Sequence, residues 1–164
     1  MTGVQTCALP ICKLKIFLSY AHEDEVMKTQ LDRNLVALKR NNNIEVWQDK
    51  AILPGDVWDD EIKHALATAD IILLLISVDF NNSKYIWENE LTVALERHMK
   101  KEARVIPIIL RPCDWADMPY AKLQALPKAA KPISAFANAD EAYTEVAINI
   151  RMVVEFMISQ KNPH

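Results

Sequence analysis

Six consecutive residues, Ile71-Ile72-Leu73-Leu74-Leu75-Ile76, are apolar without interruption. A strand that shows one face to water alternates apolar and polar side chains. An unbroken run this short instead predicts a strand buried on both faces, as in the middle of a parallel sheet. It has about a third of the ~20 apolar residues that a membrane-crossing helix needs, so it does not predict a span.

The neighbouring segments fit that sheet. Leu14-Lys15-Ile16-Phe17-Leu18, closed by Ser19-Tyr20, predicts a first strand. Glu23 to Arg40 carries Met27, Leu31, Leu35 and Leu38 at helical spacing, and Asn41-Asn42-Asn43 ends that helix by turn chemistry. Ile44 to Trp47 predicts a second strand, and a loop containing Pro54-Gly55 follows. Trp58, Ile62, Ala65, Leu66 and Ala69 mark one face of a second helix. After the third strand, Asn81-Asn82-Ser83 supplies an N-cap for a helix over Lys84 to Met99. Val105 to Leu110 predicts a fourth strand, although Pro107 inside it offers no ladder donor. Five of the eight prolines fall between Pro107 and Pro132, marking a loop-rich region. Ile133 to Phe136 predicts a short fifth strand. Asn138, with Glu141 three residues on, opens a last helix bearing Tyr143, Val146, Ala147, Ile150, Val153, Val154 and Met157.

Strands alternating with helices predict an α/β fold with helices on both faces of the sheet. The expectation is a flavodoxin-like, three-layer arrangement with a five-stranded parallel sheet in the order 2-1-3-4-5. Residues 14–159 form the expected domain. Residues 1–13, which begin MTGVQTCALPIC, lack the pattern of a secretion signal and of any element; they read as a flexible tail or as translated adapter sequence. Residues 160–164 are a C-terminal tail.

Composition removes several function classes. Gly3 and Gly55 are the only glycines, so a Rossmann fingerprint, a Walker-A loop and a kinase glycine loop are all excluded. The net charge is −3 with no block of lysine and arginine, which argues against binding nucleic acid by charge. Cys7, Cys12 and Cys113 suit neither a disulfide framework nor a zinc site, and a reducing, cytoplasmic setting is the expectation. His22, His64, His98 and His164 have no ligand spacing, so no metal is expected.

In sheets of this type ligands collect at the carboxyl ends of the strands. Those ends carry Ser19-Tyr20, Gln48-Asp49, Ser77-Asp79 and Arg111-Asp114. The helix over Lys84–Met99 places Glu90 inside its apolar arc and Glu88 on the margin. A carboxylate among apolar neighbours beside such a crevice is a functional candidate, because desolvation raises its pKa and sharpens its field. The alternative is that both glutamates simply favour the first turns of the helix.

Several ordered motifs carry a family resemblance. Lys15-Ile16-Phe17-Leu18-Ser19-Tyr20-Ala21-His22-Glu23-Asp24 resembles the opening motif of TIR (Toll/interleukin-1 receptor) domains. Trp47-Gln48-Asp49, then Leu53-Pro54-Gly55-Asp56, resembles the second strand and the mobile BB loop of that family. Asp70 to Ser77, then Ser83 to Leu95, resembles the third strand and the helix that bears the family's glutamate. The likeness extends from Leu14 to Met157 and is nearest to bacterial TIR domains of antiphage defence.

The resemblance implies cleavage of NAD at the nicotinamide–ribose bond. Glu90-Leu91-Thr92-Val93-Ala94-Leu95 fits the register of the family's catalytic glutamate and Glu88 does not, so the implied catalytic residue is Glu90. Tyr20, Trp47, Asp49, Ser77 and Trp87 are the implied substrate-binding residues. Leu53, Pro54, Gly55 and Asp56 form the implied assembly loop. NAD enters as substrate, with no cofactor and no metal. Other TIR copies and a sensor module outside this chain are the implied partners, with no membrane and no direct nucleic-acid contact. Bland roles stay open: Tyr20 sealing the sheet end, Ser77 satisfying backbone, Asp49 starting a turn and Trp87 filling the core. Two departures stand out. Ile86 and Trp87 occupy the places where enzymatic relatives often carry tryptophan and cysteine, and the family's late aromatic pair is reduced to Phe136. A non-catalytic TIR–TIR adaptor is the alternative function. A phosphate-receiving response regulator is disfavoured, since Glu23 and Asp24 lie too far past the first strand and Lys131 precedes the fifth.

Overall fold

A computed structural model describes residues 13–47 and 58–161. In chain order these hold β1 (Leu14–Ser19), a 3-10 turn (His22–Asp24), α1 (Glu25–Asn34), α2 (Val36–Arg40), β2 (Ile44–Val46), α3 (Trp58–Thr68), β3 (Ile71–Ile76) and α4 (Val78–Asn82). A π-helical segment (Ile86–Leu91) then runs directly into α5 (Thr92–Met99), followed by β4 (Arg104–Ile109), two further 3-10 turns (Lys128–Ala130 and Ile133–Ala135) and α6 (Ala139–Lys161).

The sheet is parallel, in the order β2-β1-β3-β4. All six residues of β3 have no exposed surface, because β3 lies between β1 and β4 with helices over both faces. Both sides of the strand therefore need apolar residues. Ile71, Leu73 and Leu75 face a core shared with Leu31, Leu35 and the α6 residues Val146, Ile150 and Val154. Ile72, Leu74 and Ile76 face a second core containing Ile62, Leu66, Phe80, Ile86, Leu91 and Ala94. Each such side chain contributes about 1.5–3 kcal/mol through burial.

Four strands are present among the described residues, where the sequence predicts five. The run Ile133–Phe136 forms a 3-10 turn behind Pro132. Its apolar character reflects burial of Ile133, which is 1% exposed, and not strand geometry. The place beside β4 is taken by Leu126 in a single bridge: its N–H donates to the Pro107 carbonyl at 2.9 Å, and its carbonyl accepts from Ile109 N–H at 2.8 Å. The same bonds explain how β4 tolerates proline. Pro107 and Ile109 turn their backbone groups toward Leu126, whereas Leu110 N–H donates to Ile76 on the β3 side. The donor that Pro107 lacks belongs to the outer edge, so the β3–β4 ladder loses nothing.

The first predicted helix is divided. Leu35, at φ −91° and ψ 12°, separates α1 from α2, and Asn42 in the left-handed region (φ 59°) ends α2. The other caps follow the expected chemistry. Ser83 Oγ accepts from Ile86 N–H at 3.2 Å, and Asn138 Oδ1 accepts from Asp140 N–H at 2.8 Å. Among the described residues no helix is long and apolar enough to cross a membrane.

Candidate active site

The carboxyl ends of β1, β3 and β4 converge on one side of the sheet. Beyond β1, Tyr20 and the 3-10 turn form one rim of a cleft of about 470 Å³. Trp47 after β2, Trp58 at the start of α3, and Tyr85, Ile86 and Glu90 from the helical segment complete its walls. This is the size of a small-molecule site.

Glu90 is 7% exposed and accepts a hydrogen bond from Ser19 Oγ at 2.6 Å. A buried helical carboxylate facing the end of a strand, held by a buried hydroxyl and opening on a cleft, is a placed charge and not a solvated side chain. Glu88 is exposed and lies 3.9 Å from Lys84. The backbone contributes to this separation. Thr92 Oγ1 donates to the Trp87 carbonyl, five residues back, at 2.8 Å, and the helix is π-helical from Ile86 to Leu91. Such wide turns recur at functional sites. Here the five-residue spacing brings Tyr85 and Glu90 to the same wall.

The candidate residues divide into three groups. Glu90, Tyr20 and Trp47 share the cleft. Trp47 stacks on Phe17 with centroids 5.7 Å apart and planes 15° apart, while Lys28 Nζ sits 5.1 Å from the centre of the Tyr20 ring. Ser77 and Trp87 are placed elsewhere. Ser77 is fully buried; its hydroxyl donates to Asp24 and accepts from Phe80 N–H at 3.1 Å, capping α4. Trp87 packs on the second core and its Nε1 donates to the Asn81 carbonyl at 2.8 Å. Asp49, Leu53, Pro54, Gly55 and Asp56 lie outside the described residues.

Several contacts at the site are not apparent from the sequence. Asp24 is 2% exposed. Besides Ser77 it accepts from Arg111, through Nε at 3.0 Å and a terminal nitrogen at 2.7 Å. The same terminal nitrogen reaches Asp79 at 2.6 Å. Its hydrogen bonds to Asp79 and Asp24 hold the Arg111 pKa above its ordinary value. This cluster ties the rim beyond β1 to the ends of β3 and β4. Trp58, expected on a buried stripe, is 51% exposed and tilts against Tyr85, with centroids 5.4 Å apart and planes at 42°. Tyr85 donates its hydroxyl proton to Asp59 at 2.8 Å. Burial, the bond to Asp59 and the negative charges of Asp59 and Glu90 push the Tyr85 pKa well above the usual phenol range. The only signal for Tyr85 was its distance of five residues from Glu90, which a 3.6-residue period does not reveal. Among the described residues no group of three or more His, Cys, Asp or Glu side chains is arranged to hold a metal ion.

A family model for the TIR domain matches residues 16–146, from β1 into α6. The chain belongs to the TIR domain family, and it is a bacterial TIR domain. It is 46% identical over 136 residues to an uncharacterized protein, y4lF, of Sinorhizobium fredii, across 83% of this chain and 42% of that protein. It is 32% identical over 100 residues to the 2′ cyclic ADP-D-ribose synthase BtTIR of Bacteroides thetaiotaomicron, across 60% of this chain and 33% of that protein. The matched region thus spans less than half the length of either curated relative.

Proposed function

We propose that this TIR domain cleaves NAD at the bond between nicotinamide and ribose, with Glu90 as the catalytic carboxylate. The observation that carries the reading is the buried Glu90, fixed by Ser19 at 2.6 Å in the wall of the strand-end cleft. The likeness to a 2′ cyclic ADP-D-ribose synthase supports NAD as the substrate.

The chemistry asks for a single carboxylate. Nicotinamide in NAD is a cationic leaving group. As the C–N bond breaks, its electron pair stays with the ring nitrogen, the ring becomes neutral, and no acid is needed to assist departure. Positive charge develops on the ribose. Glu90 stabilises that charge and holds the sugar hydroxyls, as carboxylates do in glycosidases. Water then adds to the anomeric carbon and releases a proton, giving ADP-ribose; attack by a hydroxyl of the same molecule instead gives a cyclic isomer. Tyr20 and Trp47 flank the substrate, and Asp49 is a further substrate contact. Self-association through Leu53, Pro54, Gly55 and Asp56, driven by a sensor module, switches activity on in the cytoplasm during bacterial antiphage defence.

Nicotinamide release, followed by chromatography, tests this. Parent protein is compared with Glu90→Gln at low and high concentration and with a crowding agent. The expected result is release that rises steeply with concentration and is lost in the variant. Copies that associate without releasing nicotinamide at any concentration would instead make the domain an adaptor, and Glu90→Ala would leave that association intact.

A further inference from the structure

We infer that the amino-terminal pole of the sheet docks an acidic segment of a partner protein that carries large apolar side chains; this does not depend on the NAD-cleaving reading. The strands are parallel, so the cleft at their carboxyl ends and the pole at their amino ends lie on opposite sides of the domain. At the pole, the end of α5, the start of β4 and the end of α6 surround a hollow of about 710 Å³. Asp70 holds the frame. Its carboxylate accepts from Lys15 N–H at 2.8 Å and pairs with Lys161 at 3.5 Å. Its carbonyl accepts from Arg104 N–H at 2.9 Å. The starts of β1 and β4 and the end of α6 are thus tied to one residue.

The hollow combines apolar surface with positive charge. Met99 is 80% exposed and Phe156 51%. Lys101, Arg104 and Lys161 line it with them, and Glu102 is the one carboxylate there among the described residues. Glu102 already faces Arg97 at 3.6 Å. Among the described residues no salt bridge reaches Lys101 or Arg104. Arg104 lies over the Phe156 ring, 5.6 Å from its centre, so charge and ring are presented together. Lys101 stands at φ 62° just past the end of α5, a place that glycine fills without strain. Lysine there adds a cation to the hollow.

Charge and shape select the partner. Glu23, Glu25, Asp79 and Glu90 line the cleft, so an acidic chain is repelled from that side and drawn to the opposite pole. A small anion would leave Met99 and Phe156 in water. A bilayer is flat on this scale and would leave the hollow empty. Strand addition is closed as a route. On the outer edge of β4, Val105 N–H donates to His98 Nδ1 at 3.2 Å, Pro107 has no N–H, and Ile109 N–H donates to the Leu126 carbonyl at 2.8 Å. The contact is therefore made by side chains, carboxylates on the cations and an apolar group against Met99 and Phe156.

The test uses a synthetic peptide, EDLFEDLE, titrated by NMR at physiological ionic strength, where long-range attraction is screened. The controls are the charge-reversed KKLFKKLK, the apolar-depleted EDSSEDSE, and phosphatidylglycerol vesicles. The proteins are the parent, Lys101→Glu with Arg104→Glu, and Phe156→Ser, each confirmed as folded by circular dichroism. EDLFEDLE is expected to shift resonances around Met99 and Phe156 with a Kd of about 1 mM. The double charge reversal weakens it about tenfold, and Phe156→Ser weakens it about fivefold. The inference is overturned if EDLFEDLE shifts nothing at the pole up to about 10 mM, or binds the charge-reversed variant as it binds the parent. Equal binding of EDSSEDSE would reduce the pole to a general anion surface, and binding to the vesicles in preference to EDLFEDLE would make it a lipid surface; either result overturns the protein partner.

Discussion

Ser19 Oγ lies 2.6 Å from Glu90 Oε1, joining the last residue of β1 to the π-helical segment across 71 residues of chain. Both side chains are buried, so water does not replace the bond when the hydroxyl is removed. A hydrogen bond to a charged group contributes about 1.5–3 kcal/mol. If the carboxylate must face the ribose in one orientation, Ser19→Ala lowers kcat for nicotinamide release by about tenfold and changes KM little, because Ser19 acts through Glu90 and not on the substrate. Steady-state kinetics on both variants check this. Equal losses in Ser19→Ala and Glu90→Gln would make Ser19 part of the chemistry.

The Asp24–Arg111 pair answers a different question. The Asp24 side chain is 1% exposed and that of Arg111 37%. Removing the guanidinium strands a buried carboxylate with Ser77 as its remaining side-chain donor. Arg111→Ala is expected to cost about 3 kcal/mol of stability, read from urea unfolding. Adding Asp24→Asn removes the stranded charge, so the double variant loses less than the two single losses combined.

How far the sequence reached depended on which physical signal each residue carried. Ile71–Ile76 announced a central strand because burial on two faces leaves a compositional mark. Ile133 carried the same mark, yet apolar residues are buried in turns as well as strands, and the fifth strand did not follow. Glu90 was legible from its place in an apolar arc and from the motif around it. Ser77 was expected to face a ligand because strand ends gather ligands; nothing in sequence shows that Asp24 waits beneath it. Helical spacing predicts Trp58 in the core, although α3 begins at that residue and its ring lines the cleft. A 3.6-residue period does not place Tyr85 beside Glu90, because a π turn changes which residues share a wall.

Tyrosines Tyr85, Tyr120 and Tyr143 all have pKa values raised by burial, with the Asp59 bond adding to the effect at Tyr85. The folded state therefore holds these protons more tightly than the unfolded chain does. Their stabilisation is fully present below the unfolded phenol pKa of about 10 and is lost as pH rises above it toward the folded values. Unfolding free energy should fall with rising pH beyond that point, and phenolate absorbance from the buried rings should appear together with loss of far-ultraviolet ellipticity. Tyr120→Phe should flatten the alkaline slope. Early phenolate absorbance equivalent to all four tyrosines, with the fold intact, would contradict this.

Trp87 and Asn81 separate a packing role from a binding one. Trp87 Nε1 donates to the Asn81 carbonyl at 2.8 Å, and Asn81 Oδ1 accepts from Tyr120 at 2.6 Å. Asn81 thereby joins α4 to the helical segment and to the chain after β4. Trp87→Phe keeps a ring in the core and loses one hydrogen bond, so it should cost about 1 kcal/mol of stability. Asn81→Ala leaves its backbone carbonyl in place but strands the Tyr120 hydroxyl, and should cost about 1–3 kcal/mol. Chemical denaturation measures both. A Trp87 that touched substrate would behave differently: Trp87→Phe would raise KM for NAD while leaving the unfolding midpoint where it was.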